Sequence, residues 1–224
     1  MEFCKFVSFV VEHKFMKNSG DRIMRDLLVV GISGGSASGK STFSKKLVET
    51  LDGFRVKELH MDDYFRPEEE RPFSEAPVAQ KSYVDDNHPQ TINLKKLNMD
   101  IDQAINCDRF EIIIIEGLLT LWDKEIYNKL DLKLFVDCQA DERIVRRLQR
   151  NMSWGLSFDE ISSVYLDLVR YRHNEYVEPT KWKADLIING STPSEKALNM
   201  VSNYIKSTIR VKAPYEQIST EANK

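Results

Sequence analysis

The chain has 224 residues, of which 42% are hydrophobic and 30% charged, and its net charge is −3. This balance predicts one globular domain with a full core, and the lack of a long basic stretch argues against sequence-independent binding of nucleic acid. No apolar run reaches the roughly 20 residues that cross a bilayer, and three widely spaced cysteines fit neither a zinc site nor a disulfide framework. We therefore expect a cytoplasmic protein with no nucleic-acid or membrane partner. Its oligomeric state stays open, a homo-oligomer included.

Apolar runs alternate with helical patterns along the chain. In chain order the sequence predicts strand 27–33, helix 40–52, strand 54–60, an irregular acidic stretch 61–91, helix 92–105, strand 110–117, strand 132–137, helix 140–151, helix 157–176, strand 184–190 and helix 193–209. The strand at 110–117 is the most hydrophobic and should lie inside the sheet. This alternation predicts an α/β fold with a mostly parallel central sheet and helices on both faces.

A glycine-rich loop joins the first predicted strand to the first predicted helix. Residues 34–41 fit the pattern G-x-x-x-x-G-K-[ST], in which backbone N–H groups and a helix N-terminus cradle phosphates. In such a loop Lys40 reaches the β- and γ-phosphates, Ser41 holds Mg²⁺ and Thr42 lies near the α-phosphate. The predicted nucleotide-binding residues, here called the glycine loop, are Gly34, Gly35, Ser36, Ala37, Ser38, Gly39, Lys40, Ser41 and Thr42. The alternative is a turn that only connects strand and helix.

Two acidic residues stand at the ends of predicted strands. Asp62, in "HMDDYFRP", comes just past the second strand, where a carboxylate can accept a proton from an acceptor hydroxyl or hold a metal ion. Glu116 ends the strand "IIIIEG", and a carboxylate beside a phosphate-binding loop helps hold Mg²⁺ through water. The alternatives are an acidic loop that caps the next turn and a surface-exposed strand end.

The predicted helix 140–151 carries four arginines on one face, because Arg143, Arg146, Arg147 and Arg150 recur at spacings of three and four. Guanidinium groups so arranged repel one another unless an anion is near. This face therefore favours a phosphate or anionic substrate. The alternative is a solvated helix whose arginines pair with neighbouring acidic residues such as Glu142.

Together these motifs resemble the uridine kinase family, within a wider group that includes phosphoribulokinase and nicotinamide riboside kinase. The matching stretches are "GGSASGKST", "MDDYF", "NHPQTIN", "IIIIEGLL", "LKLFVDCQADERIVRRLQRN" and "YVEPTKWKADLII", which cover roughly residues 28–190. The resemblance implies a three-layer P-loop NTPase fold with a small helical lid. It also implies Asp62 as the catalytic base, Glu116 as an aid to the metal, and Arg147 and Arg150 as contacts to phosphate or substrate beside Lys40.

This resemblance sets the expected division of the chain. We expect an N-terminal extension at 1–26, a P-loop kinase domain at 27–212 with a lid at about 147–176, and a C-terminal tail at 213–224. The first residues, "MEFCKFVSFVVEHKF", have an acidic residue where a signal peptide has a basic region, and no small-residue cleavage site follows.

The expected acceptor contacts follow from the same resemblance. The sugar-binding aspartate of the family aligns with Asn87, and Asp86 lies one residue earlier. Tyr64 and Arg147 complete this predicted substrate set together with Asp62.

The chain departs from the family where a pyrimidine base would be recognised. Only "NCDRF" separates the helix 92–105 from the next strand, so the hairpin that holds the base in the family is missing. Trp154 and Leu156 stand where the family has lid arginines, and Val164 stands where it has a base-reading glutamine. Trp154 could stack on a base or sugar or lie in the core. We therefore expect uridine to be accepted weakly or promiscuously.

The sequence thus predicts an ATP- and Mg²⁺-dependent kinase that transfers the γ-phosphoryl group to a hydroxyl of a small-molecule acceptor, a nucleoside in the first place. A kinase of another hydroxylated metabolite, such as nicotinamide riboside or a sugar-like acceptor, is the alternative. A non-catalytic nucleotide-binding switch is the alternative from a different class, although a switch has no need of Asp62 at a strand end.

Overall fold

The computed structural model describes residues 27–212, and Leu27–Val211 form one compact unit. The predicted N-terminal extension at 1–26 and C-terminal tail at 213–224 lie outside the described residues. Within the described part, no helix combines the length and the apolar character needed to cross a membrane.

A five-stranded parallel sheet forms the centre of this unit. The strands of the described residues are β1 (Leu28–Gly34), β2 (Val56–His60), β3 (Phe73–Glu75), β4 (Ser82–Val84), β5 (Ile112–Glu116), β6 (Leu132–Asp137) and β7 (Leu186–Asn189). The sheet order is β2-β5-β1-β6-β7, and every neighbouring pair is parallel. All residues of β1 and β5 are buried, as expected for interior strands covered on both faces. The predicted α/β fold and the interior position of the strand at 110–117 are confirmed.

Helices cover both faces of the sheet. Their bounds are α1 (Lys40–Thr50), α2 (Leu94–Asn106), α3 (Lys124–Tyr127), α4 (Ala140–Ser153), α5 (residues 158–177) and α6 (Glu195–Lys212). On one face, Leu47 of α1 and Ile205 of α6 pack against alternate residues of the strands. On the other face, Leu97 and Ile101 of α2 pack against the remaining strand residues. This is a three-layer arrangement with an apolar core on each side of the sheet.

The helix predicted at 157–176 is present, but two of its turns are wider than α-helical turns. It runs as α-helix over Phe158–Val164, π-helix over Tyr165–Val169, α-helix over Arg170–Arg172 and π-helix over His173–Val177. Such π segments occur frequently at functional sites. A search for the 3.6-residue period does not detect them, because each wide turn shifts the periodicity locally.

The stretch 61–91, predicted as irregular, contains a hairpin that the sequence reading missed. β3 and β4 pair antiparallel with Phe73 opposite Val84, and 3₁₀ turns lie on either side of the hairpin. Strands of three residues are too short to show an alternating pattern, so the acidic and proline-bearing composition of 61–91 favoured the prediction of an irregular stretch. The direct connection predicted between helix 92–105 and the next strand is present, since residues 107–111 join α2 to β5 without a strand between them.

Candidate active site

The glycine loop turns sharply between β1 and α1. Gly39 has a φ of +96°, and Ala37 is a non-glycine residue with a φ of +63°. The Ser38 N–H donates to the Gly35 carbonyl at 3.0 Å, which closes the turn. A side chain at Gly34 would put its Cβ 2.5 Å from the Val136 carbonyl oxygen, so only glycine fits there. The loop therefore delivers the N-terminus of α1, with its free N–H groups, toward the position where phosphates would bind.

Glu116 lies at the centre of a polar cluster where β5 ends. The Lys40 Nζ is 3.4 Å from Glu116 Oε1, and the Ser41 hydroxyl donates to the same oxygen at 3.2 Å. On the other side, His60 Nδ1 lies 3.2 Å from Glu116 Oε2. Glu116 is only 5% exposed, which rules out the alternative of a surface-exposed strand end.

The arginine face of α4 points at the glycine loop. Arg147 Nη1 and Arg150 Nη2 both approach the Ser36 hydroxyl, at 3.1 and 3.5 Å. Arg146 Nη1 donates to the Gly190 carbonyl at 2.8 Å. The other terminal nitrogen of Arg146, Nη2, pairs with Glu142 at 3.2 Å. Most of this face is therefore directed at the loop rather than at carboxylates.

Two of these guanidinium groups, those of Arg147 and Arg150, are partly buried, and burial disfavours their charge. Desolvation, and next the charge of Arg150, lower the pKa of Arg147. Desolvation also lowers the pKa of Arg150, against a raising effect of Asp62. The Arg147 Nε is buried without a hydrogen-bond partner among the described residues. An anion bound beside Ser36 would supply the missing negative charge.

Two cavities meet at the glycine loop. The first, of about 610 Å³, is lined by the loop, by Phe43, by Asn189 at the end of β7 and by Pro193 in the segment that follows. The second, of about 650 Å³, lies on the side of Asp62 and the β3–β4 hairpin. Lys40, Arg150 and Trp154 line both cavities. Both volumes are in the range that holds a drug-sized molecule.

Asp62 faces the second cavity. It lies in a 3₁₀ turn, Met61–Tyr64, that begins directly after β2, and it lines the cavity whereas its neighbour Asp63 does not. Within residues 27–212 its carboxylate makes no hydrogen bond and no ion pair. An exposed carboxylate beside Lys40 and the arginine face is thus available to a ligand.

This geometry can now be compared with known proteins. Residues 99–196 match the profile of the phosphoribulokinase/uridine kinase family. The chain is 31% identical over 204 residues to a uridine kinase of Bacillus velezensis, covering 83% of this chain and 97% of that protein. It is 32% identical over 204 residues to a uridine kinase of Deinococcus deserti, covering 81% of this chain and 96% of the relative.

The chain belongs to the phosphoribulokinase/uridine kinase family. It is a P-loop phosphotransferase with an alcohol group as acceptor. A crystal structure from Silicibacter sp. TM1040, of a candidate fructose transport system kinase, matches with a TM-score of 0.51 at 18% identity. That match covers 80% of this chain and 97% of the other, and it shows the fold alone.

One residue of the predicted acceptor set of this kinase needs correction. Tyr64 was predicted as a substrate contact, but its ring is buried in the core and does not line the second cavity. Its hydroxyl donates to Asp100 at 2.8 Å, and burial together with that carboxylate raises its pKa. The apolar neighbours of the short 3₁₀ turn direct Tyr64 inward and Asp62 outward.

The other predicted acceptor residues do line the second cavity of the kinase. Asp86 accepts from Arg71 Nη1 at 3.0 Å, and Asn87 donates its backbone N–H to Asp85 Oδ1 at 3.1 Å. Trp154 is 68% exposed, so the alternative that it lies in the core is wrong. Its ring lies 5.0 Å from the Arg150 guanidinium.

The sequence reading missed the ion pair that fixes this loop of the kinase. Asp85 is fully buried, and Arg172 of α5 donates to it from Nε at 2.6 Å. Arg172 also donates to Ser74 of β3 at 2.9 Å. No local pattern could reveal a pair 87 residues apart.

Proposed function

We propose that this kinase transfers the γ-phosphoryl group of ATP to a hydroxyl of a nucleoside-like acceptor, with Mg²⁺, in the cytoplasm. The observation that carries the proposal is the meeting of Lys40, Asp62 and Arg147 on one cavity beside the glycine loop. A nucleotide switch or an ATPase needs no second, molecule-sized cavity with a carboxylate at its phosphate end. A kinase needs both, because it must place an organic hydroxyl next to the γ-phosphate.

ATP would span the first cavity and the glycine loop. Its phosphates would take the backbone N–H groups of the loop and the charge of Lys40. The apolar side chains of the first cavity, including Phe43, Val136 and Leu198, suit the base and ribose. The adenine would then lie near the segment after β7.

Mg²⁺ fits the donors beside Lys40. The Ser41 hydroxyl and the Glu116 carboxylate are hard oxygen donors 3.2 Å apart, the type that Mg²⁺ binds directly or through water. The described residues contain no cluster of three or more acidic, histidine or cysteine side chains suited to a metal. The ion would therefore depend on these two residues together with the nucleotide phosphates, and a contribution of Asp62 stays a prediction. Bound there, Mg²⁺ neutralises charge on the phosphates.

Asp62 would act as the general base. The acceptor oxygen forms a bond to the γ-phosphorus, the bond from that phosphorus to the β,γ-bridging oxygen breaks, and ADP leaves with the electron pair. The Asp62 carboxylate accepts the hydroxyl proton. Its lack of a protein partner within residues 27–212 leaves both carboxylate oxygens available for this role.

The remaining predicted residues would hold charge and hydroxyls. Arg147 and Arg150 approach the loop at Ser36, where they can stabilise the charge of the transferring group. Asp86 and Asn87 line the same cavity and supply the oxygen and amide groups that bind sugar hydroxyls.

The experiment is a measurement of ADP release from ATP and Mg²⁺ with a panel of nucleosides, free sugars and no acceptor, using the full-length chain. The proposal predicts acceptor-dependent ADP release that the Lys40→Ala variant lacks. ADP release at the same rate without any acceptor would identify an ATPase instead. No release with any hydroxylated acceptor would contradict the proposal.

A further inference from the structure

The second cavity has a wall that the proposed phosphoryl chemistry does not use. It is formed by side chains of β4, of the corner between α4 and α5, and of α5 itself. This apolar wall consists of Tyr83, Val84, Leu156, Ile161 and Val164. Four of the five side chains are aliphatic, in contrast to the charged residues that surround the glycine loop.

The apolar wall is held in place by contacts between its two halves. The Tyr83 hydroxyl of β4 donates to Asp167 of α5 at 2.7 Å. Asp167 lies three residues beyond Val164, about one helical turn, so the hairpin and α5 meet beside the cavity. Arg172 makes a second link through its hydrogen bond to Ser74 of β3. The hydrogen bonds of Tyr83 and Arg172 therefore hold the hairpin and α5 together and fix the position of the apolar wall.

The two polar side chains next to this wall, Tyr83 and Glu160, make hydrogen bonds to neighbouring residues, and the other polar side chains of the cavity, including His88 and Asn151, lie outside the wall. Tyr83 uses its only donor on Asp167. Glu160, which lines the cavity next to Ile161, closes a capping box in which its Oε2 accepts from the Ser157 N–H at 2.8 Å and from the Ser157 hydroxyl at 2.6 Å. Tyr83 and the four aliphatic side chains of the apolar wall consequently offer no unpaired N–H or O–H donor to the edge of a nucleobase.

We propose that the acceptor carries its hydroxyls at one end and an uncharged, apolar-faced ring at the other, and that this ring lies against the apolar wall. The inference rests on the proposed kinase function and names the acceptor class of that site. The hydroxyls of the acceptor contact Asp62, Asp86 and Asn87, whereas its ring is selected by its shape and by the burial of its surface. A site that reads a base by hydrogen bonds rejects analogues lacking those groups by about 10⁴-fold or more, whereas a site that reads shape discriminates about 10–200-fold per methylene-sized difference.

The test compares three acceptors at saturating ATP and Mg²⁺: uridine, the riboside in which a phenyl ring replaces the base, and ribose. The inference predicts that kcat/KM for the phenyl riboside is within about tenfold of that for uridine or above it, and at least about 100-fold above that for ribose. A preference of about a thousandfold for uridine over the phenyl riboside would overturn the inference and leave the kinase function intact. Equal use of ribose and the phenyl riboside would also overturn it. Absence of turnover with all acceptors would instead remove the proposed function.

A matched pair of variants tests the wall itself. Val164→Thr keeps the shape of the side chain but adds a hydroxyl to the wall, which the phenyl ring cannot pair. We expect kcat/KM for the phenyl riboside to fall about tenfold, with a smaller loss for uridine and an unchanged KM for ATP. Val145→Thr is the control, because Val145 lies exposed on α4 and lines neither cavity. An equal loss for both acceptors, or no loss for either, would contradict the inference.

Discussion

The glycine loop and the apolar wall lie on the same cavity system but are built in opposite ways. The loop comes from consecutive residues 34–42, and its chemistry is backbone N–H groups, one lysine and four hydroxyls. The wall comes from three segments between Tyr83 and Val164, and its chemistry is aliphatic surface. In the proposed function, the glycine loop binds the phosphates at a position fixed by the fold, whereas the apolar wall selects the acceptor.

The difference between these regions implies different responses to mutation. Changes near the glycine loop should affect turnover with every acceptor, because all acceptors share the phosphate donor. Changes at the apolar wall should affect the KM for the acceptor and leave the KM for ATP unchanged.

The largest expected effect is the loss of turnover in Lys40→Ala. Lys40 is buried beside Glu116 and is the lysine that the glycine loop would place at the phosphates in the proposed function. Removing it should lower kcat at least about 10³-fold with every acceptor, because its charge acts directly on the transferring group. The matched control is Lys45→Ala on the exposed side of α1, which lines neither cavity and should keep full turnover. Near-normal ADP release in Lys40→Ala would refute the phosphate role of the loop.

The second effect concerns Asp62. Asp62→Asn should lower kcat about 10²–10⁴-fold with little change in the KM for ATP, because a general base acts on the acceptor hydroxyl. The neighbouring Asp63→Asn variant should be mild, since Asp63 does not line the cavity. If steady-state kinetics instead assign the large loss to Asp63→Asn, the base has been placed on the wrong residue.

A smaller effect is expected from Arg172→Lys, which keeps the charge but cannot bridge Asp85 and Ser74 together. The loop that carries Asp86 and Asn87 should loosen, so the KM for the acceptor should rise about tenfold while the KM for ATP changes less than about twofold. Arg170→Lys, on the exposed side of the same helix, serves as the control. A parallel rise of both KM values would show that Arg172 supports the whole domain rather than the acceptor side.

The smallest effect is a pH dependence of stability due to His173, whose ring lies close to Gly35 of the glycine loop. Burial, and next the charge of Arg143, lower the pKa of His173 to about 4. In the unfolded chain His173 therefore takes up a proton near pH 6.5, whereas in the folded chain it does so only near pH 4. Because the unfolded state binds more protons between these two values, stability falls as the pH falls through this window.

This histidine should make the free energy of unfolding about 1 kcal/mol lower at pH 5.5 than at pH 7. Denaturant titrations of the wild type and of His173→Gln at both pH values measure the contribution, because the variant should lack that part of the slope. Equal slopes in the two proteins would mean that His173 is protonated at the same pH in the folded and unfolded states.

The sequence predicted the fold well, because local patterns determine it, and the motif at the phosphate end of the site is also a local pattern. Continuous apolar runs identify buried parallel strands, and the spacing of glycines, Lys40 and Ser41 is a local requirement of phosphate binding. Glu116 is buried and the arginine face is directed at the glycine loop, while the roles predicted for these residues stay predictions.

The acceptor side was predicted less well, because its geometry depends on contacts between distant segments. Tyr64 was misplaced since a short 3₁₀ turn directs adjacent side chains to opposite environments. The β3–β4 hairpin and the Asp85–Arg172 pair depend on tertiary packing that leaves no period or spacing in the sequence. Trp154 could be placed on the surface only once the corner after α4 was known.

The central claim is that the glycine loop and Asp62 together move the γ-phosphoryl group of ATP onto an acceptor hydroxyl. The most direct measurement supplies ATP labelled at the γ-phosphate together with a riboside acceptor and separates the products. We expect the label to appear in a phosphomonoester of the acceptor, in equal amount to the ADP formed, and Asp62→Asn to slow this transfer. Label recovered only as inorganic phosphate, at a rate indifferent to the acceptor, would contradict this claim.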